Sequence, residues 1–256
     1  SIFFGKMRVR QAVGAGRRCK DRENGRGMNN LRSDINIIYE DKDILVCRKP
    51  AGLPTQSARV SSPDLVSELK SYLAEKNENY LAVVHRLDQP VEGLLVFAKN
   101  KKAAKNLSEQ LKQGEFGKVY YAVAFNQPCV QEGMLEDYMV KDGSRAKIVT
   151  ADTPGAKKAV LHYKLIAVNK GRVLYEVRLE TGRFHQIRAQ MAHAGMPILG
   201  DKKYADPAIA IYSEAHGIKN VALCAFKLKL VHPGTGEEML FVSKPAGEIF
   251  KDFKKE

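Results

Sequence analysis

Residues 35–50, INIIYEDKDILVCRKP, carry apolar runs on either side of Asp41-Lys42-Asp43 and read as two short strands about a turn. The period then lengthens. In Pro63–Lys76 the apolar positions are 65, 66, 69, 72 and 73, which predicts a helix with Pro in its first turn. Leu94–Ala98 is a compact apolar strand, and Lys101–Gln113 an amphipathic helix ended by Gly114. Lys118–Phe125, Ala159–Val168 and Arg172–Leu179 read as strands, and His185–Ala194 as a helix closed by Gly195 and Pro197. Val221–Val231 and Met239–Ser243 form a hairpin around Pro233-Gly-Thr-Gly. Strands in runs, with helices between them at irregular intervals, predict an α+β fold: a mixed, mainly antiparallel sheet with flanking helices.

Charge divides the chain into two parts. Of 256 residues, 42 are Lys or Arg and 29 Asp or Glu, a formal net charge of +13. Residues 1–32 hold nine of the basic residues against two acids, and no apolar period persists there. That stretch reads as a flexible basic arm, with 33–256 as the folded domain; an RNA-contacting tail and an Arg-rich organelle presequence are its functional readings, and a functional chain that starts at Met28 is the other. The remainder is still basic, which points to a polyanion as partner, and nucleic acid is the usual one. No window approaches 18 consecutive apolar residues, which excludes a membrane-spanning helix. The four Cys residues, at 19, 47, 129 and 224, include no C-x-x-C pair, so neither a zinc ribbon nor a disulfide scaffold is expected. A reducing cytoplasmic compartment follows as the expectation.

Three segments concentrate chemistry. In VVHRLDQPVEGLLVFAK, residues 83–99, Asp88 stands where a strand gives way to a turn, a place that presents a carboxylate or caps the turn. In LETGRFHQIRAQMAHAGMPILGDKKY, residues 179–204, a Thr-Gly turn leads into the helix carrying His185 and Arg188, three residues apart and so on nearly one face. In KVYYA, residues 118–122, strand alternation sends Tyr120 and Tyr121 to opposite faces. His185 and His193 lie eight apart without an acidic companion, a poor pattern for a metal.

H-R-L-D-x-x-x-x-G-L-L, K-x-Y-x-A, T-G-R-x-H-Q-I-R and G-x-P-I-x-G-D-x-x-Y follow one another in this order, preceded by K-P-A-G at 49–52. Over residues 37–245 the chain strongly resembles the RluA-type pseudouridine synthases, in the form without an S4 RNA-binding domain. HRLD rather than GRLD selects that subgroup. Four positions depart from its usual pattern: Gln89 in place of a basic residue, Glu92 in place of Ser, Phe184 in place of a small Thr or Ser, and Cys224 in place of His. Gln89 and Glu92 are expected to lower the positive charge beside the site.

The resemblance implies isomerisation of specific uridines to pseudouridine in structured rRNA or tRNA. The N1–C1′ bond breaks, the base turns, and C5 rejoins C1′ through an oxocarbenium-like or glycal-like sugar, for which a positioned carboxylate is the natural catalyst. By resemblance that carboxylate is Asp88, attacking C1′ or removing the 2′ proton. Arg188 is its guanidinium partner, Tyr120 stacks on the target uracil, and Ile187 packs beside it. Arg86 fills the stack vacated by the flipped base, and His85, Arg183 and His185 line the RNA. No metal, cofactor or obligate protein partner is implied, and a monomer is expected. A non-catalytic RNA-binding protein is the alternative, but it has no need to keep Asp88, Tyr120 and Arg188 together. A zinc deaminase lacks its C-x-x-C here, and hydrolysis calls for paired acids.

Overall fold

The computed structural model describes residues 35–57, 62–125 and 131–253, together with the backbone of Arg8–Gln11. In chain order the elements are β1 (Arg8–Gln11), β2 (Asn36–Glu40), β3 (Ile44–Lys49), α1 (Leu65–Ala74), β4 (Ala82–Val83), β5 (Glu92–Ala98), α2 (Lys101–Gln113) and β6 (Gly117–Phe125). They continue as β7 (Glu132–Asp142), β8 (Arg145–Val149), β9 (Lys157–Asn169), β10 (Arg172–Leu179), α3 (Gln186–His193), α4 (Pro207–Ala215), β11 (Leu223–Val231) and β12 (Glu238–Val242), with a 3-10 turn at Glu248–Phe253. The pairs β2·β3, β3·β5, β4·β5, β6·β10, β9·β10, β7·β9 and β7·β8 are antiparallel and β1·β12 is parallel, and the fold is α+β. Of the basic arm, β1 is the part described, pairing in parallel with β12; the rest lies outside the described residues.

The chain forms two compact units. The first comprises residues up to Gln89, Gly93–Phe116 and Leu228–Ser243. Here β2, β3 and β5 pair antiparallel, with Val46 opposite Val96. Ile44, Val46, Leu94 and Val96 meet Ala103 and Leu107 of α2, and Leu228, Leu230, Met239 and Phe241 complete this core. The caps explain the helix bounds. Asn100 accepts the N–H of Ala103, and Gly114 ends α2 at φ +75°, a left-handed position that favours glycine. Asp64 accepts the N–H of Ser67, so α1 starts at Leu65 and Pro63 falls before the cap rather than in the first turn.

The second unit comprises Pro90–Glu92, Gly117–Lys227 and Lys244–Glu256. Its sheet runs β6-β10-β9-β7-β8, with the first half of β11 beside β6. The apolar alternation does not reveal the β7–β8 hairpin, because charged residues occupy both faces of this largely uncovered ribbon. The Asp142-Gly143 turn, with Gly143 at φ +54°, was the available signal. Ala189 of α3 packs on Ala146 and Ala159, small residues that bring the helix close to the sheet, with Met139 beside them. The prediction also omits α4, which Asp206 caps with Pro207 in the first turn.

Candidate active site

In the first unit the loop from the K-P-A-G segment to Thr55 braces the backbone on both sides of Asp88. Thr55 Oγ1 donates to the carbonyl of Leu87 (2.9 Å) and accepts its N–H (3.2 Å). On the far side, the Gln89 carbonyl accepts the N–H of Gly52 (2.8 Å) and Lys49 Nζ (3.1 Å). Lys49 is fully buried and also donates to the carbonyls of Pro50 (2.9 Å) and Leu53 (2.6 Å), so a charge-assisted cage holds the loop to the residue after Asp88. Between these clamps Asp88 is half-buried and Arg86 exposed. His85 is buried; its Nε2 accepts the N–H of Val96 (3.2 Å), and its ring meets Phe116 edge-on at 5.8 Å. That ring braces the turn against β5.

In the second unit the T-G-R-x-H-Q-I-R segment is fastened to β9. Thr181 Oγ1 accepts the N–H of Val160 and donates to Gln186 Oε1. Gln186, also buried, accepts the N–H of Arg183 (2.9 Å) and donates to the carbonyl of Val160 (3.0 Å). This tight return places His185 at φ +53°, a left-handed conformation rare for a residue with a Cβ. His185 therefore caps α3 instead of belonging to it, which corrects the expectation that it shares a helical face with Arg188. The Tyr204 hydroxyl and His185 Nδ1 share a hydrogen bond (2.8 Å), and the same oxygen accepts the N–H of Ala146 (2.7 Å).

Arg188 and Ile187 are buried in α3. Arg188 donates from Nε and Nη2 to the two oxygens of Asp201, each at 2.7 Å, in a bidentate pair. Gly200, at φ +75°, brings Asp201 to this position; a Cβ there would fall 2.1 Å from the Asn220 carbonyl oxygen. Tyr120 is buried on β6, whereas Tyr121 on the opposite face is half-buried and stacked on Phe226 at 3.6 Å. Lys118 shares the Tyr120 face by strand period, and burial pushes its ammonium pKa below the ordinary value. Arg183 and Phe184 are exposed.

Glu92 corrects another expectation. It is buried, and its carboxylate accepts the N–H groups of Ala246 and Gly247, each at 2.9 Å, so it holds the C-terminal segment instead of diluting surface charge. Asp201, Tyr204, Gln186 and Lys49 received no role in the sequence reading, although each lies within a motif quoted there. Among the described residues, Asp41, Asp43 and His232 have ligand-type atoms within 4.8 Å of one another. His232 Nδ1 accepts two backbone N–H groups, so Nε2 carries the proton and donates to Asp41 Oδ2; the ring has no lone pair left for a metal.

The model of the RNA pseudouridylate synthase family matches residues 43–193. The chain belongs to that family. Among curated proteins, this pseudouridine synthase sequence is 38% identical to an RNA pseudouridine synthase of Zymomonas mobilis over 171 residues, 66% of this chain and 77% of that protein. It is 34% identical to ribosomal large subunit pseudouridine synthase D of Pasteurella multocida over 214 residues, 80% of this chain and 65% of that one. Human RNA pseudouridylate synthase domain containing 4 superposes with a TM-score of 0.68 at 25% identity, covering 85% of this chain and 90% of that chain. These relatives support the RluA-type assignment. The family match spans the K-P-A-G, HRLD, K-x-Y-x-A and T-G-R-x-H-Q-I-R segments and stops before Asp201 and Tyr204.

Proposed function

We propose that this chain isomerises uridine to pseudouridine in structured rRNA or tRNA, with Asp88 as the catalytic carboxylate. The observation that carries this reading is the bracing of Leu87 and Gln89 around a half-buried Asp88. A carboxylate that must meet one sugar carbon needs a fixed backbone, because small misplacements erase much of the advantage of proximity. By adding to C1′ or by removing the 2′ proton, Asp88 drives cleavage of the N1–C1′ bond and frees the base from the sugar. The base turns and C5 bonds to C1′ as the Asp88 carboxylate leaves C1′, or as the 2′ proton is returned; the C5 hydrogen then leaves as a proton, and N1 takes one up. Nothing is oxidised or reduced, so the balance requires no redox cofactor.

Arg188 supplies the guanidinium charge of the reaction, held in one rotamer by Asp201. Tyr120 and Ile187 receive the uracil, and exposed Arg86 fills the stack left by the flipped nucleotide. His185 and Arg183 line the RNA at the head of α3, and His85 acts through the turn it braces. The chain works on RNA in the cytoplasm as a single copy. Among the described residues no helix is long and apolar enough to cross a membrane.

The test is tritium release from [5-³H]uridine-labelled total RNA of cells lacking the protein. The wild-type chain releases tritium, whereas Asp88→Asn binds the RNA and releases none. Activity of Asp88→Asn within tenfold of wild type overturns the assignment.

A further inference from the structure

Among the described residues five large apolar side chains are exposed, and four of them, Met134, Ile166, Val168 and Ile211, are aliphatic. The fifth is Phe184, 39% exposed and lying inside the most chemically dense segment of the chain. Its ring lies on the His185 imidazole with centroids 3.8 Å apart and planes 20° from parallel. The imidazole is itself fixed by the left-handed backbone of His185, by the Tyr204 hydroxyl at 2.8 Å, and by the Tyr204 ring standing edge-on at 5.6 Å. Phe184 is thus an aromatic surface on a rigid mount, and it needs little further ordering to receive a flat partner.

Cations surround it. Lys141 Nζ lies 5.1 Å from the Phe184 centroid, and Arg145 lies 5.8 Å from the Tyr204 ring. Arg183 is adjacent and exposed, tethered through Nε to the carbonyl of Lys158 at 2.8 Å. The exposed Lys141 ammonium, on its flexible stem, yields its place over the ring to a base and stays close enough for a phosphate. A fixed exposed ring with flanking cations is the arrangement that binds single-stranded nucleic acid, in which bases stack and the backbone meets positive charge.

We propose that Phe184 is a stacking platform for an unpaired RNA base other than the target uridine, with Lys141 and Arg183 taking the adjoining phosphates. The proposal deepens the RNA-modifying reading and rests on it. It makes Phe184 a specificity-determining residue that favours RNA with an unpaired nucleotide besides the target.

The chain contains no tryptophan, so Phe184→Trp installs a single reporter. The probes are a labelled 12-nucleotide oligouridylate and a 12-unit abasic ribose-phosphate strand, titrated under the same salt conditions. Phe184→Leu keeps apolar bulk on His185 but has no π-face, so its oligouridylate affinity falls about tenfold while abasic-strand affinity changes less than twofold. Phe184→Trp keeps oligouridylate affinity within threefold, and its emission is quenched by oligouridylate but not by the abasic strand. Equal effects of Phe184→Leu on both strands, unchanged emission of Phe184→Trp at saturating oligouridylate, or no oligouridylate binding by wild type at 100 μM overturns the platform. Tritium release by the wild-type chain is scored separately. Its absence would remove the isomerase reading while leaving a positive stacking result in place.

Discussion

Replacing Asp201 by Asn tests the support of Arg188 at almost constant volume. The two side chains are 1% and 3% exposed, and the Asp201 oxygens accept from Arg188 Nε and Nη2 at 2.7 Å each. Oδ1 also accepts the N–H groups of Lys203 (3.0 Å) and Tyr204 (3.3 Å). The amide of Asn has one acceptor oxygen and one NH₂. Its better orientation keeps the oxygen at the Oδ1 position, where three donors converge, and turns NH₂ toward the Nε–H of Arg188. One charge-assisted hydrogen bond becomes a donor–donor contact, and the buried guanidinium loses the negative charge of Asp201. Breaking one side of a buried pair costs about 3–5 kcal/mol, and retaining the second hydrogen bond puts Asp201→Asn near the lower end. With a urea slope of about 3 kcal/mol/M for a chain of this size, the midpoint falls by about 1 M. Far-UV circular dichroism in a urea series measures it, since the chain has no tryptophan to follow. Tritium release should fall as well, because Arg188 loses its fixed rotamer. A midpoint shift below about 0.3 M would refute this account of the pair.

Lys49→Met removes the ammonium that three carbonyls share, including that of Gln89, and should cost about 3 kcal/mol with a loss of tritium release; unchanged melting and turnover would show that the cage does not position Asp88. Acid should destabilise the fold through Asp41, Asp64 and Glu40. Burial raises each of these pKa values, but hydrogen bonds outweigh it, helped at Glu40 by the Lys76 and Lys99 ammonium groups, leaving them below the ordinary 3.8 for Asp and 4.5 for Glu. Depressed folded-state values mean that their stabilisation is complete above the ordinary pKa and drains away as pH falls through the folded-state values; a melting temperature flat from pH 6 to pH 3 contradicts this. Burial pushes the Cys47 thiol up to about 12, so iodoacetamide at pH 8 should leave it unmodified until denaturant is added, as read by peptide mass spectrometry.

Local chemistry made parts of the fold legible and hid others. Helix α2 lies where the sequence puts it, at Lys101–Gln113, because Asn100 and Gly114 punctuate it through contacts within one turn. The strand at Arg172–Leu179 was equally plain, since Val173, Tyr175 and Val177 are buried on one face while Arg172, Glu176 and Arg178 mark the other. Hairpin β7–β8 escaped because an edge ribbon with charges on both faces carries no alternation. The motifs pointed to Asp88, Arg188 and Tyr120 as residue types, but not to their supports. Asp201 lies thirteen residues beyond Arg188, and the bracing of Asp88 by Lys49 and Thr55 spans 32–40 positions. Such partnerships are set by tertiary geometry and leave no periodic trace. The left-handed His185 was hidden for a related reason, since a helical period says nothing about the backbone one residue outside it.

The order in which the chain visits its two units has a consequence for synthesis on the ribosome. The first unit's core needs Leu228, Leu230, Met239 and Phe241, yet all of Gly117–Lys227 is translated between α2 and these residues. At 5–20 residues per second that interval lasts roughly 6–20 s. The second unit's meander of neighbouring antiparallel strands involves short-range contacts and can fold within it. Until Phe241 emerges, β3 and β5 expose apolar faces and α2 has no finished core, so the earliest-made part of the protein waits for late-made strands before its core closes. Chaperone dependence should therefore track the first unit, and a stop codon placed after Lys227 should yield an aggregating product even with every proposed site residue present.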